Sequence, residues 1–175
     1  MDRTHAVVGS PIGELTLVAT GGVLSGVYLE KHRHLPDPAT FGPRVAAGSE
    51  AALAAAAEQL EEYFAGQRTG FTLRTRAVGT DFQRRVWDAL AAIPYGQTWT
   101  YARLAEAAGA RGAVRAVGAA NGRNPLTIVV PCHRVVGSDG DLTGFAGGLA
   151  RKRFLLDLER AGGVDRLSGP AEWTG

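Results

Sequence analysis

The chain has 175 residues, 45% of them hydrophobic and 21% charged, enough for one or two cores of an ordinary soluble globular protein. No apolar run nears the ~18 residues of a membrane span, and Met1-Asp2-Arg3-Thr4-His5 shows no basic stretch leading into an apolar one, so a membrane or secreted protein is not expected and a cytoplasmic home is the default. The net charge is +2, but residues 78–175 hold 12 basic and 9 acidic side chains against 7 and 8 in residues 1–77, and nothing acidic lies between Glu106 and Asp139, where Arg111, Arg115, Arg123 and Arg134 fall; the stretch suits a polyanion as well as it suits a solvated surface.

In chain order, residues 15–19 and 23–29 flank Thr20-Gly21-Gly22. The glycine pair permits the positive φ of a tight turn, so the first thirty residues predict a β-hairpin. Pro36, Pro38, Gly42, Pro43 and Gly48 make residues 31–48 a loop. Ser49 is placed to cap a helix reaching about Ala65, with Leu53, Ala57, Leu60 and Phe64 on its apolar face and Gly66 at its end. Phe71-Thr72-Leu73 predicts a short strand. A change of composition at Arg76-Ala77-Val78-Gly79 marks a boundary, dividing the chain into domains at 1–77 and 78–165 with a loose tail at 166–175.

The second half predicts mostly helix. Thr80 and Gln83 fit a capping box, and the helix that follows carries Phe82, Val86, Leu90 and Ile93 on one face until Pro94 stops it. Pro94-Tyr95-Gly96-Gln97 is a turn. Thr100 caps a short helix over 101–108, a glycine-bearing break covers 109–112, and 113–121 forms a second helix. This is a helix-turn-helix arrangement, which many helical hairpins share. The apolar run 126–130 reads as a buried extended segment delivering Cys132 to its end, residues 137–140 as a turn, and 150–161 as a last helix with Leu155 and Leu158 inward. The expected fold class is α/β in the α+β sense: a small antiparallel-sheet domain with a helix, then a mostly helical domain with the helix-turn-helix and the cysteine.

Cys132 is the one cysteine, so neither an internal disulfide nor a thiolate zinc site can form. A lone thiol is either a small buried hydrophobe or a nucleophile. Attack requires thiolate, hence a base or a positive field. His133 is adjacent, but neighbours on an extended chain point to opposite faces, so a bridging water is expected. Glu159 sits at the edge of the last helix's apolar face, after Leu155 and Leu156 and with no cation beside it there, and needs a partner from elsewhere. Singly, each has an ordinary structural reading. Acting together, they should hold the thiol below the ~8.5 of a free cysteine. His32 and His34 read as a polar loop rather than metal ligands.

From about Gly79 to Glu159 the text closely resembles the O6-alkylguanine-DNA alkyltransferases, the methylated-DNA–protein-cysteine methyltransferases, in their stand-alone form. The matching residues are Gly79-Thr80-Asp81-Phe82-Gln83-Arg84-Arg85-Val86-Trp87, Ile93-Pro94-Tyr95-Gly96-Gln97 with Thr100-Tyr101, Arg115-Ala116-Val117-Gly118, Asn124-Pro125, and Val129-Val130-Pro131-Cys132-His133-Arg134-Val135. The resemblance implies direct-reversal DNA repair by a suicide methyltransferase. An alkyl group would leave the O6 of guanine, or the O4 of thymine, in double-stranded DNA for Cys132, once per chain, with no cofactor and no metal.

It also implies roles. Cys132 would be nucleophile and acceptor, His133 its base through water, Glu159 the group orienting His133, and Asn124 the brace of the preceding turn. Tyr101 would donate a hydrogen bond to the purine. Arg115 would fill the gap left by the flipped nucleotide. The second helix would enter the minor groove, with Thr100, Ala116, Gly118, Ala120 and Asn121 among the DNA-facing residues. Backbone groups of Cys132, Val135 and Ala146 would hold the base, with Phe145 stacked on it. Phe145 stands where many members have tyrosine, and Asn121 where some have a bulky apolar wedge. A monomer is expected, with clustering along DNA left open. The rivals are weaker. Alkyltransferase-like lesion binders carry tryptophan in place of Cys132, a helix-turn-helix regulator needs neither the thiol nor Glu159, and a Cys-His hydrolase or thiol peroxidase needs its base in direct reach of sulfur.

Overall fold

A computed structural model describes residues 1–167. The chain opens with an antiparallel sheet of β1 (Arg3–Val8), β2 (Leu15–Thr20) and β3 (Val23–Leu29), in that order. β2 and β3 are the expected hairpin, and Gly21 and Gly22 both take positive φ at its turn. β1 was not expected, because Arg3-Thr4-His5-Ala6-Val7-Val8 shows no clean alternation. It is an edge strand held through pairing with β2, from Arg3 opposite Thr20 to Val8 opposite Leu15. Residues 31–48 are not wholly irregular, since Asp37 caps a short 3-10 turn, Pro38–Phe41.

α1 (Ala51–Phe64) lays Leu53, Ala56, Leu60, Tyr63 and Phe64 into the core below the sheet. Ser49 does not cap it. Its hydroxyl donates to the Ala46 carbonyl at the start of the 3-10 turn Ala47–Ser49, and Glu50 takes the cap position without a capping bond, its carboxylate accepting from the Thr4 hydroxyl of β1 instead. The serine is spent on the preceding turn. Phe71 to Leu73 do not form a strand either. The backbone meets the sheet at Thr75, which bridges to Leu24. Gln59 of α1 satisfies Thr72 instead, accepting from its amide and donating to its hydroxyl, both at 2.9 Å.

α2 (Asp81–Leu90) begins at the capping box, with Thr80 accepting from the Gln83 amide and Gln83 accepting from the Thr80 amide. α3 (Tyr101–Ala107), capped by Thr100, and α4 (Val114–Gly122) form the helix-turn-helix pair. Val86, Trp87, Leu90, Ile93, Leu104, Val117 and Ala120 enclose a second core that includes Cys132 and Val135. β4 (Trp99–Thr100) pairs in parallel with β5 (Val135–Val136), hanging the cysteine segment on the start of α3. α5 (Leu149–Ala161) closes the fold.

The two halves share material. α5 gives Phe154, Leu155 and Leu158 to the first core, and the segment before the cysteine gives Leu126 and Ile128. The Val27 amide donates to the Pro125 carbonyl at 2.8 Å. Buried Arg151 donates to the carbonyls of Ile12, Glu30 and Gly147. The end of α1 meets the end of α5 so closely that a Cβ on Gly66 would lie 2.0 Å from the Gly162 carbonyl oxygen, and Gly66 itself has φ 76°. Both conditions require glycine there. The expected loose tail begins too early. Val164–Arg166 forms a 3-10 turn, and Val164 and Leu167 pack on the first core; residues 168–175 lie outside the described residues. No described helix is long and apolar enough to cross a membrane.

Candidate active site

The segment before the cysteine is a tight turn, not an extended strand. Thr127 bridges to Val130, the Val130 amide donates to the Leu126 carbonyl at 2.8 Å, and Ile128 takes φ 73°. A left-handed β-branched residue costs roughly 1–2 kcal/mol. Asn124 offsets it by accepting from the Leu126 amide (3.0 Å) and donating to the Val130 carbonyl (2.8 Å). A five-residue apolar run carries no period that separates strand from core-filling turn. Cys132–Arg134 then forms one 3-10 turn rather than the end of a strand. Cys132 and His133 therefore diverge because the turn advances about a third of a circle per residue, not because of strand alternation.

His133 and Glu159 are brought together. The buried Glu159 carboxylate accepts from His133 Nε2 (2.7 Å to Oε2), from Arg134 Nε (2.8 Å to Oε1) and Nη2 (3.0 Å to Oε2), from the Tyr63 hydroxyl (2.6 Å to Oε2) and from the Gly96 amide (3.3 Å to Oε1). Burial alone would raise this carboxyl, but His133 and Arg134 hold it well below the usual carboxylate range. Glu159 thus has a cationic partner, Arg134, which the last helix alone did not reveal. An ionised carboxylate only accepts, so His133 Nε2 carries the hydrogen and the lone pair lies on Nδ1. Burial lowers the His133 pKa below 6.5, with Glu159 opposing and Arg134 and Lys152 assisting. The ring is neutral at physiological pH. Its Nδ1 is buried and bonds to no protein group among the described residues.

Burial pushes the Cys132 thiol up to about 11, against the lowering effects of the Asn124 side chain and Lys152. The expectation of a thiol more acidic than free cysteine is therefore wrong for the resting chain. At neutral pH the thiol is protonated and the imidazole next to it in sequence is uncharged. Lys152 is buried close by and donates to the carbonyls of Val135, Thr143 (2.7 Å) and Gly144 (3.2 Å), while burial lowers its pKa to about 8. Of the Val135 backbone groups expected to hold a base, the carbonyl is engaged by this ammonium. Its side chain is fully buried.

A cavity of about 270 Å³ is lined by Tyr101, Gly118, Ala119, Asn121, Phe145 and Ala146, together with Arg33 and His34 from the first half. The Tyr101 hydroxyl donates to the Thr143 carbonyl at 3.0 Å. Asn121 links this wall to the cysteine, donating to the Cys132 carbonyl at 3.4 Å. Asn121, expected to face DNA, is a buried residue of the cavity wall. Ala120, expected to face DNA as well, is buried, and its carbonyl accepts from Trp87 Nε1 at 2.8 Å. Val117, Ala120 and Asn121 are the inner face of α4, whereas Arg115, Ala116, Ala119 and Arg123 are exposed and Gly118 is half-buried. Thr100 is half-buried, its hydroxyl engaged as the α3 cap. His32 is a buried plug whose Nδ1 accepts from the Leu29 amide at 3.3 Å, with its ring edge-on to Tyr28.

Three site residues escaped the sequence reading. Tyr63 falls on the apolar stripe of α1, where a buried hydroxyl must find a partner. Lys152 reads as part of a solvated Arg151-Lys152-Arg153 run, yet it lies three and four residues before Leu155 and Leu156, on the buried face. Arg134 stands in the sequence as positive charge and as part of the cysteine motif, with nothing there to tie it to Glu159.

Residues 4–77 match the family model described as 6-O-methylguanine DNA methyltransferase, ribonuclease-like domain, and residues 81–161 match the DNA binding domain of the same family. A methylated-DNA–protein-cysteine methyltransferase of Mycobacterium tuberculosis is 46% identical over 157 residues, spanning 90% of this chain and 92% of that one. One from Methanosarcina barkeri is 45% identical over 156 residues, spanning 89% and 96%. The crystal structure of Mycobacterium tuberculosis OGT in complex with DNA is similar at a TM-score of 0.83 and 45% identity, covering 91% of this chain and 94% of that chain.

Proposed function

Because this chain belongs to the 6-O-methylguanine DNA methyltransferase family, we propose that it reverses DNA alkylation directly, taking the alkyl group from the O6 of guanine, or the O4 of thymine, onto Cys132. The observation that carries this reading is the junction at Glu159: a neutral His133 fixed through Nε2, its Nδ1 lone pair uncommitted, one residue from the only thiol of the chain.

Each step has a residue. Arg115 and Arg123, exposed at α4, supply phosphate attraction that is largely independent of sequence, as a lesion scanner needs. The small exposed Ala116 and Ala119 let α4 approach a narrow minor groove. Arg115 fills the space of the damaged nucleotide once it is rotated out, and the base enters the cavity of Tyr101 and Phe145. Cys132 Sγ attacks the alkyl carbon, the bond from carbon to O6 breaks, and its electron pair leaves with guanine, which takes a proton from solvent; the Tyr101 hydroxyl stabilises the developing charge once its hydrogen turns from the Thr143 carbonyl to the base. The thiol proton passes through a water molecule to His133 Nδ1. The thioether has no ready leaving group, so the chain is consumed, and no cofactor is required. We read residues 78–165 as the domain of alkyl transfer and 1–77 as its support, acting as a monomer on DNA in the cytoplasm.

Incubation with excess O6-methylguanine duplex should add one methyl group per chain by intact mass, located on the Cys132 peptide. Continued turnover by a single chain would sink the proposal. Arg115→Ala should slow repair of duplex DNA about tenfold or more, the scale of a few kcal/mol of unstacking, yet leave reaction with free O6-benzylguanine little changed, because a free base needs no extrusion. Equal losses on both substrates refute the Arg115 role.

A further inference from the structure

We propose that Tyr63 is a positioning residue for this chemistry, reaching from α1 to Glu159 and setting how strongly that carboxylate draws a proton onto His133. The inference rests on His133 being the base. Tyr63 is fully buried, and its hydroxyl donates to Glu159 Oε2 at 2.6 Å, the same oxygen that His133 Nε2 reaches at 2.7 Å. Packing alone asks nothing of that hydroxyl. The ring already sits against Phe64 (centroids 5.3 Å apart), Phe71 (5.6 Å) and Tyr95 (6.3 Å), where phenylalanine would serve. Its single polar atom is aimed at the carboxylate that holds His133.

The groups facing the His133–Glu159 pair come from the pair's own two elements and from two others. Cys132 and Arg134 lie on the 3-10 turn, and Lys152 on α5. Tyr95 and the Gly96 amide lie in the loop after α2, and Tyr63 on α1. Tyr95 lies under the Arg134 guanidinium, 5.7 Å from ring centroid to Cζ. Each donor to Glu159 spreads its charge and leaves less to stabilise imidazolium. Burial and Glu159 hold the Tyr63 phenol well above 10, so it remains a donor at every working pH. The first half of the chain therefore acts on the chemistry through one hydrogen bond, keeping His133 neutral and able to accept a proton.

The test is the pH profile of single-turnover methyl transfer from O6-methylguanine duplex by the full chain. In wild type the rate should fall on the acid side as His133 becomes protonated. Tyr63→Phe removes one donor, so Glu159 holds imidazolium more strongly. The acid limb should then move up by roughly half a unit to one unit, slowing transfer about threefold to tenfold at the foot of the limb. Phe64→Leu, a packing change at the next position, should leave the limb in place. A fluorinated tyrosine placed at position 63 is a stronger donor that keeps the ring, and should move the limb the opposite way, which decides the matter even if Tyr63→Phe does not fold. Absence of any acid limb in wild type overturns the base assignment and this inference with it. A limb that neither change at position 63 displaces overturns the role of Tyr63 alone.

Discussion

Cys132→Ser is expected to take up no alkyl group from O6-methylguanine duplex while binding that duplex as tightly as the wild-type chain. Serine keeps the shape of the side chain and a hydrogen-bonding group beside Asn124. It loses the polarisable sulfur, and its hydroxyl is a far weaker acid than the thiol, which burial has already pushed up to about 11. The proposed base, His133, is a neutral imidazole whose pKa burial lowers; it can help a thiol whose proton leaves as the new bond forms but cannot generate an alkoxide. Removing the nucleophile should cost about a thousandfold or more. Binding depends on phosphate contacts and the exposed face of α4, not on an atom buried in the second core, so affinity should stay within about twofold. Intact mass gives the first quantity and fluorescence anisotropy the second. A serine variant that is methylated at the wild-type rate would place the acceptor elsewhere. One that loses DNA binding along with transfer would make Cys132 a core plug, as its packing against Val86, Leu104 and Val117 permits.

The parts of this molecule that could be read from its sequence are those governed by local rules. The Thr80–Gln83 box, the Gly21-Gly22 turn and the Thr100 cap each depend on two or three adjacent residues, and each stands where expected. The helical stripes were legible in part, because helical period reports burial: Leu53, Leu60, Phe64, Val86, Leu90, Leu155 and Leu158 are buried as expected, whereas Ala57 and Phe82 are half-buried and Tyr63, Trp87 and Lys152 join the buried faces unannounced. Expectation failed where a residue's partner is distant. Ser49 chose the turn behind it. Thr72 found Gln59 instead of a strand. Ile128 was forced into a left-handed turn by Asn124 and by core packing under β3. β1 exists because β2 offers an edge, which no window over residues 3–8 can show.

The candidate site divides the same way. Cys132, His133 and Arg134 are one motif, but only the fold discloses that Arg134 and His133 share Glu159 across 25 and 26 positions, or that Tyr63 joins them across 96. The thiol's resting state was misjudged for a related reason. The motif names its helpers but does not say how deeply it is buried, and burial is the largest influence on Cys132.

Glu159→Gln should cost the fold about 3–5 kcal/mol, because it leaves Arg134 as a buried charge without its anion. The glutamine keeps the size of the side chain, but it brings two hydrogens of its own to a place where Tyr63, Gly96, His133 and Arg134 all donate. Alkyl transfer should fall with stability, and the two losses must be separated. Pairing Glu159→Gln with Arg134→Met removes the unpaired charge, so most of the stability should return while transfer stays low, since His133 still lacks the carboxylate that orients it. The pH dependence has a definite sign. The folded-state pKa of Glu159 is depressed, so its contribution is fully present above the unfolded carboxylate value of about 4.3 and is lost as pH falls below it. In urea denaturation, the gap between wild type and Glu159→Gln should therefore be widest near neutrality and shrink at about pH 3. A gap that does not narrow in acid would mean that glutamine fails for its shape rather than its charge. Full recovery of alkyl transfer in the folded double variant would show that Glu159 serves the fold and not His133.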